Sequence, residues 1–456
     1  MKKLGIHIFR RDLRLEDNTA LNALFETVDE VLPVFIFDER QTNKHEYQSV
    51  PGLQMLCEAV EELDAALKEK GSELHIQTGR ADDVLLRLIN NYAPAVVSWN
   101  KDYTPFSIKR DEELRALLNR HGISCIEKDD VTLHAPGTVL TKEGKPYSVY
   151  THYRIAAESL ARPEPVPLKK DATFDRHEGG EDMSTICAQL IEEKRTLRTQ
   201  GGRSVALELL EDLKENKTYA ADRDYPSIEG TSLLSAHIKF GTVSIREVYD
   251  YAKKNMPNPT TYLRELLWHD FFTTIAALSP HVYQGAYKKE YDALKWSTDT
   301  EAFERWKTGN TGFPIVDAGM RELLHTGYMH NRVRMIVASF LIKDLHINWQ
   351  WGEKHFAQHL TDYDPAVNNG NWQWVAGTGC DASPWFRIFN PWIQQEKFDS
   401  NALYIKTWIP ELKDLPAKEI HAPQSDKRAE TGYPAPMCDH KEEAAETKRR
   451  YNVIKE

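Results

Sequence analysis

Residues 362–392 read DYDPAVNNGNWQWVAGTGCDASPWFRIFNPW, a run that no ordinary amphipathic helix contains. It combines acids, amides and glycines with two nearby indoles, Trp372 and Trp374. Large rings among small and polar residues suit a site that grips a flat molecule with polar edges, so a planar cofactor is the first hypothesis. Taken alone, these residues leave an alternative open, in which the tryptophans fill a core and the glycines shape a tight loop.

The composition of the 456 residues, 41% hydrophobic and 28% charged, is that of a soluble globular protein with room for more than one domain. No apolar run approaches the ~20 residues that a membrane helix needs, and the N-terminus becomes charged too early for a signal peptide. We therefore expect a cytoplasmic protein, or a nuclear one in a nucleated cell. The net charge of −11 means that any nucleic acid must be bound by a locally basic face.

The five cysteines are scattered, with no CxxC pair and no histidine at ligand spacing. This pattern argues against a disulfide framework and against a metal site. Reduced, mostly buried thiols are the expectation.

The first part of the chain alternates β-rich runs with helical patterns, which predicts a doubly wound, mainly parallel sheet in an α/β domain over residues 1–130. The predicted strands are 5–10, 31–38, 73–79, 95–100 and 124–130, and the predicted helices are 51–71, 81–92 and 106–120.

Polar residues follow two of these strands, at Arg10–Asp12 and Asn100–Asp102. In an open parallel sheet a ligand lies beyond the carboxyl ends of the strands, so these residues are candidates for contacting one. The alternative is a solvated loop with helix-capping acids. No GxGxxG or GxxxxGK[ST] motif occurs here, so a dinucleotide or triphosphate fingerprint is absent from the domain.

Residues 131–198 are rich in Pro, Gly and charge, which predicts a long interdomain connector. Residues 199–456 have mostly helical periodicity, interrupted by breakers such as Pro257, Pro280 and Gly327. Ten of the eleven tryptophans lie in this predicted all-α domain, so any aromatic chemistry is expected there.

The chain resembles the DNA photolyase/cryptochrome family along essentially its whole length. The motifs that carry the resemblance are IHIFRRDLRLEDNTAL (6–21), EGTSLLSAHIKFGTVS (229–244), RELLWHDFF (264–272), GNTGFPIVDAGMRELLHTGYMHNRVRMIVASFLIKDL (309–345), NNGNWQWVAGTGCDASPWFRIFNP (368–391) and YPAPMCDHKEEAAETKRRY (433–451). Within the family, the class I cyclobutane pyrimidine dimer photolyases are the most similar.

The resemblance implies an α/β antenna-binding domain followed by a helical FAD-binding and catalytic domain. It implies light-driven repair of cyclobutane pyrimidine dimers in DNA, by electron transfer from reduced FAD to the flipped-out dimer. The resemblance leaves open whether a second chromophore, methenyltetrahydrofolate or a deazaflavin, lies between the domains or whether there is none. The implied partner is damaged DNA, which makes the protein nucleoid-associated when bound; no membrane, no obligate protein partner and a monomeric state are expected.

Two helical pairs carry the implied catalytic residues. Glu265 and Trp268 are spaced i,i+3 and therefore share a helix face, where a carboxylate beside an indole suits the edges and the plane of a flipped pyrimidine pair. Asn331 and Met335, spaced i,i+4, share another face and would lie against flavin and lesion. Trp374 is matched to the lesion pocket. Without the family, Trp268 and Met335 would be read as core.

The pair His330-Asn331 bears on the lesion type. In the family pattern, photolyases for the (6-4) lesion have a His-His pair at this position, because they use an imidazole to move a proton to the photoproduct. An asparagine amide cannot do that work at neutral pH, so the cyclobutane dimer is the favoured substrate. The (6-4) photolyase and the cryptochrome-type blue-light receptor remain alternatives, as does a flavin- or nucleotide-binding α/β enzyme of unrelated chemistry.

The remaining implied residues fall into three sets. The FAD-binding set is Tyr219, Thr231, Ser232, Leu233, Leu234, Ser235, Asn331, Asp362, Asp364 and Asn368, with Thr231–Ser235 at a predicted helix start. The electron-transfer set runs outward from Trp372 through Trp349 to Trp296. The DNA-phosphate set is Arg223, Arg332, Arg334 and Arg387. Cys380 and Trp385 differ from the residues most common at these positions in the family. They are interpreted as packing variants that could alter the redox potential of the flavin.

Overall fold

The computed structural model describes residues 2–176, 179–452 and 454. Its N-terminal half contains one five-stranded sheet in which every neighbouring pair is parallel, in the order β3-β2-β1-β4-β5. The strands are β1 (Leu4–Phe9), β2 (Glu30–Phe37), β3 (His75–Thr78), β4 (Val96–Asn100) and β5 (Ser124–Lys128).

Both faces of the sheet are covered. Helices α1 (Thr19–Phe25) and α3 (Val50–Glu69) pack on one face, and α4 (Ala81–Tyr92) and α5 (Pro105–Arg120) pack on the other. A strand buried on both faces has a continuous hydrophobic sequence, as β2 does from Val31 to Phe37. The strand order reverses between β1 and β4, so a crevice forms at their carboxyl ends.

The predicted α/β fold is confirmed. All five strands and the three predicted helices are present within two residues of the expected bounds. Helix α1 and the short α2 (Glu39–Thr42) were not predicted, because each is too short to show a clear helical period. The alternative of a solvated loop at Arg10–Asp12 is wrong, since Asp12 is fully buried.

The C-terminal half is helical, as predicted. Its helices are α8 (Arg203–Glu211), α9 (Tyr219–Asp222), α10 (Ser235–Phe240), α11 (Ile245–Asn255), α12 (Thr260–Leu278), α13 (Thr300–Lys307), α14 (Pro314–Thr326), α15 (Asn331–Lys343), α16 (Trp349–His359), α17 (Pro365–Ala376), α18 (Pro391–Phe398), α19 (Leu403–Trp408), α20 (Ala417–His421), α21 (Asp426–Glu430) and α22 (His440–Asn452), with 3₁₀ turns at Asp212–Glu215, Pro280–Tyr283, Lys289–Ala293 and Pro410–Leu412.

The predicted connector contains two helices, α6 (Tyr150–Ser159) and α7 (Met183–Leu190). Helix α6 forms because Tyr150, Tyr153 and Ala157 repeat at helical spacing and are all buried. The domain boundaries themselves stay a prediction.

The expectation of reduced thiols is wrong for two cysteines. Cys57 on α3 and Cys187 on α7 are paired as a disulfide, with Cα atoms 6.1 Å apart. They are separated by 130 residues in sequence, so neither spacing nor a CxxC motif could reveal the pair. Cys125, Cys380 and Cys438 are free.

A buried ionic network joins the two halves. Asp130 accepts hydrogen bonds of 2.6 Å from Arg14 in its own half and from Arg246 on α11. Arg246 also donates to Asp17 at 2.9 Å, and all four side chains are 5% exposed or less. Although burial acts to raise the pKa of Asp130, the charges of Arg14 and Arg246 hold this pKa below its usual value. The two halves therefore meet through fully compensated buried charges.

Within residues 2–176, 179–452 and 454, no helix combines the length and the hydrophobicity that crossing a membrane requires.

Candidate active site

Helix α12 presents the first pair of predicted catalytic residues. Trp268 is half-buried and stacks on Tyr150, with ring centroids 3.6 Å apart and planes 10° apart. Phe272, one turn later, packs on Trp268 at 5.4 Å. Glu265, on the turn before, is half-buried and pairs with Arg223, which follows α9. The helix therefore holds an indole platform with a carboxylate beside it.

Helix α15 presents the second pair at its N-terminus. The His330 side chain caps the helix, with Nδ1 accepting from the backbone N–H of Arg332 at 3.2 Å. Asn331 is exposed and Met335, one turn later, is half-buried. Arg332 donates to Asp224 at 2.8 Å and approaches the Met335 sulfur at 3.8 Å.

Two consecutive residues bring these helices together. Arg223 pairs with Glu265 on α12, and its neighbour Asp224 pairs with Arg332 on α15. The predicted catalytic residues of both helices therefore border one short segment, so they lie at the same place on the surface.

A cavity of 370 Å³ opens beside this place. It is lined by Thr231, Ser232 and Leu233, together with Tyr328 and His330. Leu233 has a φ of +54°, a left-handed conformation that is strained for a bulky residue and that tends to persist where function requires it. Helix α10 starts only at Ser235, so Thr231–Leu234 form a turn before the helix rather than its first residues.

Among the described residues, one buried donor of this cavity lacks a partner, although five carboxylates and one arginine, Arg198, also line the cavity. Burial lowers the pKa of His330 to about 4, so the ring is neutral, and because Nδ1 is an acceptor the proton resides on Nε2. Nε2 is buried and has no hydrogen-bond partner in the described part of the chain. An acceptor such as a phosphate oxygen of the implied FAD would satisfy this donor, alongside the hydroxyls of Thr231 and Ser232.

Four further members of the implied FAD set lie near the residues that line the cavity. Ser235 donates to Asp362 at 2.7 Å, and Arg334 holds the same carboxylate with bonds of 2.9 and 3.1 Å. Tyr219 is buried against Tyr262, whose hydroxyl donates to Ser232 at 3.1 Å. Leu234 is almost fully buried.

Asp364 and Asn368 are bonded on the side that faces the α/β domain. Asp364 pairs with Arg11, and although burial acts to raise the pKa of Asp364, the charge of Arg11 lowers this pKa to about 2. The Asn368 amide donates to the Glu353 carboxyl at 3.1 Å. The structure thus brings Thr231–Ser235, Asp362 and Asn331 close to one cavity and ties Asp364 and Asn368 to the domain interface.

The three tryptophans of the electron-transfer set differ in burial. Trp372 and Trp349 are 2% and 4% exposed within one hydrophobic cluster, and Trp296 is half-buried against it. The Trp372 ring packs directly on the backbone of α16 at Gly352. A Cβ added to Gly352 would lie only 2.2 Å from this ring, so the close contact requires glycine. Trp306, which was not predicted to take part, lies 6.3 Å from Trp372. Trp374 is half-buried on α17.

The four arginines of the DNA set differ in their partners. Arg223 and Arg332 are paired with carboxylates, and Arg334 is held by Asp362. Arg387 is exposed in the loop before α18 and has no side-chain partner among residues 2–176, 179–452 and 454.

A larger cavity of 620 Å³ lies between the domains, at the carboxyl ends of β1 and β2. Arg10 and Arg110, both largely buried, share Asp111 as their acceptor. Each keeps one buried Nη2 atom that finds no hydrogen-bond partner in the portion of the chain described. Lys239 also lines this cavity, and burial, followed by the nearby Arg11, lowers the pKa of its amine to about 7.

Sequence reasoning missed several residues of these sites. His330 was considered only for the lesion type and not as part of a cofactor site, and Tyr328 was not singled out, although both lie within the matched motif 309–345. Arg110 and Tyr150 had no signal, because each meets its partners only through the tertiary fold. In the described residues, no group of three or more His, Cys, Asp or Glu side chains is arranged to hold a metal ion.

Comparison with known families matches both halves of the chain. A model described as DNA photolyase matches residues 5–170, and a model described as the FAD binding domain of DNA photolyase matches residues 262–453. The helical half therefore contains the FAD-binding domain of that family.

Whole proteins match as well. A deoxyribodipyrimidine photo-lyase from Alkalihalophilus pseudofirmus is 37% identical, with 95% of this chain and 94% of that protein covered. An archaeal photolyase from Sulfolobus tokodaii, solved with two FAD molecules, has a TM-score of 0.88 at 40% identity, with 99% and 100% covered.

Two further solved structures span different members of the group. A bacterial class III photolyase from Agrobacterium tumefaciens has a TM-score of 0.92 at 35% identity, covering 100% of this chain and 98% of that one. A cryptochrome from Synechocystis sp. has a TM-score of 0.89 at 26% identity, covering 98% and 99%. With both family models matched and a relative above one-third identity over nearly the full length, the chain belongs to the DNA photolyase family.

Proposed function

We propose that this protein repairs cyclobutane pyrimidine dimers in DNA and is driven by light. The observation that supports the proposal is the two ion pairs made by Arg223 and Asp224, which connect the helix of Glu265 and Trp268 and the helix of Asn331 and Met335 to one short segment. A stacking platform, a carboxylate and an amide are then available together at one surface opening. These are the groups that a pyrimidine dimer extruded from the duplex requires.

Each of these side chains has a distinct task in the proposal. Glu265 accepts hydrogen bonds from base N–H groups, and Asn331, which is both donor and acceptor, binds a base edge. Trp268 and Trp374 offer apolar faces, and stacking on such a face contributes about 1–3 kcal/mol per base. Met335 supplies a soft, adaptable wall. FAD, when bound, supplies the electron that opens the dimer.

Binding of DNA requires positive charge on an acidic protein. Arg387 supports this role best, because its guanidinium is exposed and it follows the predicted lesion-pocket residue Trp374 by one loop. Arg223 and Arg332 remain proposed contacts at the rim. Arg334 is better suited to holding Asp362 in place than to reaching a phosphate, since both of its terminal nitrogens are used.

We also propose that the interdomain cavity binds a second, light-harvesting chromophore. The unpartnered Nη2 atoms of Arg10 and Arg110 favour an aromatic ligand that carries an anionic group, such as a phosphate or a carboxylate. A flavin nucleotide or a folate meets this description, whereas a deazaflavin without an acidic side chain leaves the arginines unpaired. The Sulfolobus tokodaii photolyase with two FAD molecules is a precedent for the first option.

The proposed activity is tested with purified, reduced protein and an oligonucleotide that carries one thymine cyclobutane dimer. Recovery of thymine absorbance is followed in the dark and under blue light, together with the flavin spectrum. We expect recovery only in the light. Bound flavin that responds to light without any repair would refute the proposal. That result would favour a light receptor, the alternative that the structural similarity to the Synechocystis cryptochrome supports.

A further inference from the structure

We infer that Tyr150, from the connector, is a positioning residue of the substrate site that fixes the indole plane of Trp268. The inference rests on the proposed function for the identity of the substrate. It assigns to the connector a part in lesion binding, because the residue that covers one face of the proposed stacking platform comes from residues 131–198 and not from the helical domain.

The first observation is the stack itself. The rings of Tyr150 and Trp268 are nearly parallel, with centroids 3.6 Å apart. This is the shortest separation of any aromatic pair found in the described residues, and it leaves no room for a base on that face of the indole. A dimer must therefore meet Trp268 on its remaining surface, with Tyr150 as the support behind it.

The second observation is that Tyr150 is fixed at both ends. Its hydroxyl donates to the backbone carbonyl of Arg264 at 2.6 Å. In an α-helix this carbonyl also accepts the N–H of the residue four positions later, which is Trp268. The ring is thus held to the same helical turn that carries the indole, and Tyr150 is only 7% exposed.

The third observation ties Tyr150 to the opposite wall. Its backbone N–H donates to Asp381 at 3.0 Å, and Cys380 approaches the carbonyl of Ser148 at 3.1 Å. Both partners belong to the loop that follows α17, the helix of Trp374. The segment Ser148–Tyr150 therefore links the Trp268 indole on α12 to the loop after α17. A base that enters between them contacts two surfaces whose relative position this segment fixes.

Helix α6 offers a matched control. Tyr153 lies one turn after Tyr150, is fully buried, and packs on Phe271 at 5.4 Å, with no ring contact to Trp268 among the aromatic pairs of the described residues. Tyr150→Leu and Tyr153→Leu remove the same ring from the same helix. Only the first uncovers the platform.

The test uses full-length protein labelled with 5-fluorotryptophan, in which the Trp268 ¹⁹F resonance is assigned with Trp268→Phe. We expect Tyr150→Leu to shift that resonance and to weaken binding of dimer-containing DNA roughly three- to tenfold, the size of a lost aromatic contact. Binding of undamaged DNA and the flavin content are expected to stay unchanged. The loss should appear in KM more than in kcat. Tyr150→Phe keeps the ring and loses only the bond to the Arg264 carbonyl, so it should restore dimer binding and leave a smaller shift of the resonance than Tyr150→Leu, and Tyr153→Leu should change neither signal.

Each outcome decides the inference. A Trp268 resonance that is unmoved by Tyr150→Leu, or dimer binding that falls equally in Tyr153→Leu, overturns it. If wild-type protein does not bind the dimer at all, the proposed function fails, and the resonance still decides whether Tyr150 fixes the indole. Should Tyr150→Leu not fold, Asp381→Gly removes the acceptor of the Tyr150 N–H while accommodating the φ of +46° at that position. We expect a smaller shift of the same resonance in that variant, and no shift overturns the inference.

Discussion

Asn368 donates hydrogen bonds of 3.1 Å to both the backbone carbonyl and the carboxyl group of Glu353. An amide of the implied FAD set is therefore held by a buried acid on the neighbouring helix. Burial raises the pKa of Glu353 to about 7, against the opposing hydrogen bonds from Asn368 and Tyr47. The acid is protonated in the folded protein under mildly acidic conditions and ionises close to neutrality.

Stability is expected to fall as the pH rises from about 4.5 to about 7 because of this group. In that range the unfolded chain has released the Glu353 proton and the folded chain retains it, so the free energy of unfolding decreases with pH. The full effect is about 3 kcal/mol, and Glu353→Gln should remove it. Urea unfolding at several pH values measures the slope. Glu193→Gln, at an exposed position, is the control; equal slopes in wild type and Glu353→Gln would contradict the assignment.

Asn331→Ala is expected to lower the affinity for dimer-containing DNA and the repair yield while flavin absorbance is retained. The variant removes a donor and acceptor from an exposed position at the rim, at a cost of about 1–2 kcal/mol in binding. Fluorescence anisotropy with damaged and undamaged oligonucleotides measures the difference. Asn91→Ala, exposed on α4, should have no effect. An Asn331→Ala protein that has lost its flavin would show that the residue serves the cofactor instead.

Trp372→Phe is expected to abolish most of the photoreduction of oxidised flavin and to spare repair by protein that has been reduced chemically. The reason is that Trp372 is the innermost of the three proposed electron donors and is nearly fully buried. Flavin spectra recorded during illumination measure the rate. Trp408→Phe, at a half-buried tryptophan outside the proposed set, should photoreduce normally. A Trp372→Phe protein that photoreduces like wild type would disprove the assigned chain.

Gly370→Ala is expected to destabilise the protein by about 1–3 kcal/mol. A Cβ at this position would lie 2.2 Å from the ring of Phe272 on α12, so α12 and α17 would have to separate. Because Phe272 packs on Trp268, dimer binding should weaken as well. Thermal and urea unfolding measure the first effect. Asn371→Ala, exposed on the same helix, should change stability by less than about 0.5 kcal/mol.

Asp130→Asn is expected to cost about 3–5 kcal/mol of stability, because the buried Arg14 loses its carboxylate partner while Arg246 retains only Asp17, which leaves one buried charge uncompensated. Asp171→Asn makes the same chemical change at an exposed site and should be close to neutral. Chemical unfolding distinguishes the two variants. A small effect at Asp130 would mean that water or a rearranged carboxylate replaces it.

The strands and most helices of the α/β half could be predicted from the sequence, because each produces a hydrophobic pattern among neighbouring residues. Strands such as Val96–Asn100 are buried on both faces and short, and helices such as Ala81–Tyr92 repeat their apolar residues at helical spacing. Helix α6 escaped notice because the flanking Pro and Gly outweighed its short apolar repeat. The correct predictions and the missed helix have the same cause, because sequence periodicity takes only neighbouring residues into account.

The site was readable only in part. Glu265 and Trp268, or Asn331 and Met335, pair within one helix and follow from spacing. The ion pairs that connect the two helices to the segment of Arg223 and Asp224 involve residues 42 and 108 positions apart, and no local pattern encodes them. The same holds for Tyr150, which contacts Trp268 across the chain, and for the meeting of Arg110 with Arg10 at Asp111 in the interdomain cavity, although Arg10 itself was a predicted ligand contact.

The network around Asp130 also determines how the molecule unfolds. Arg246 belongs to the helical half, yet its counter-ions Asp17 and Asp130 belong to the other half. Each half taken alone would therefore bury a charge without its partner. We therefore expect the two halves to unfold in one cooperative transition, and a chain nicked in the connector to stay associated rather than release an independent fragment.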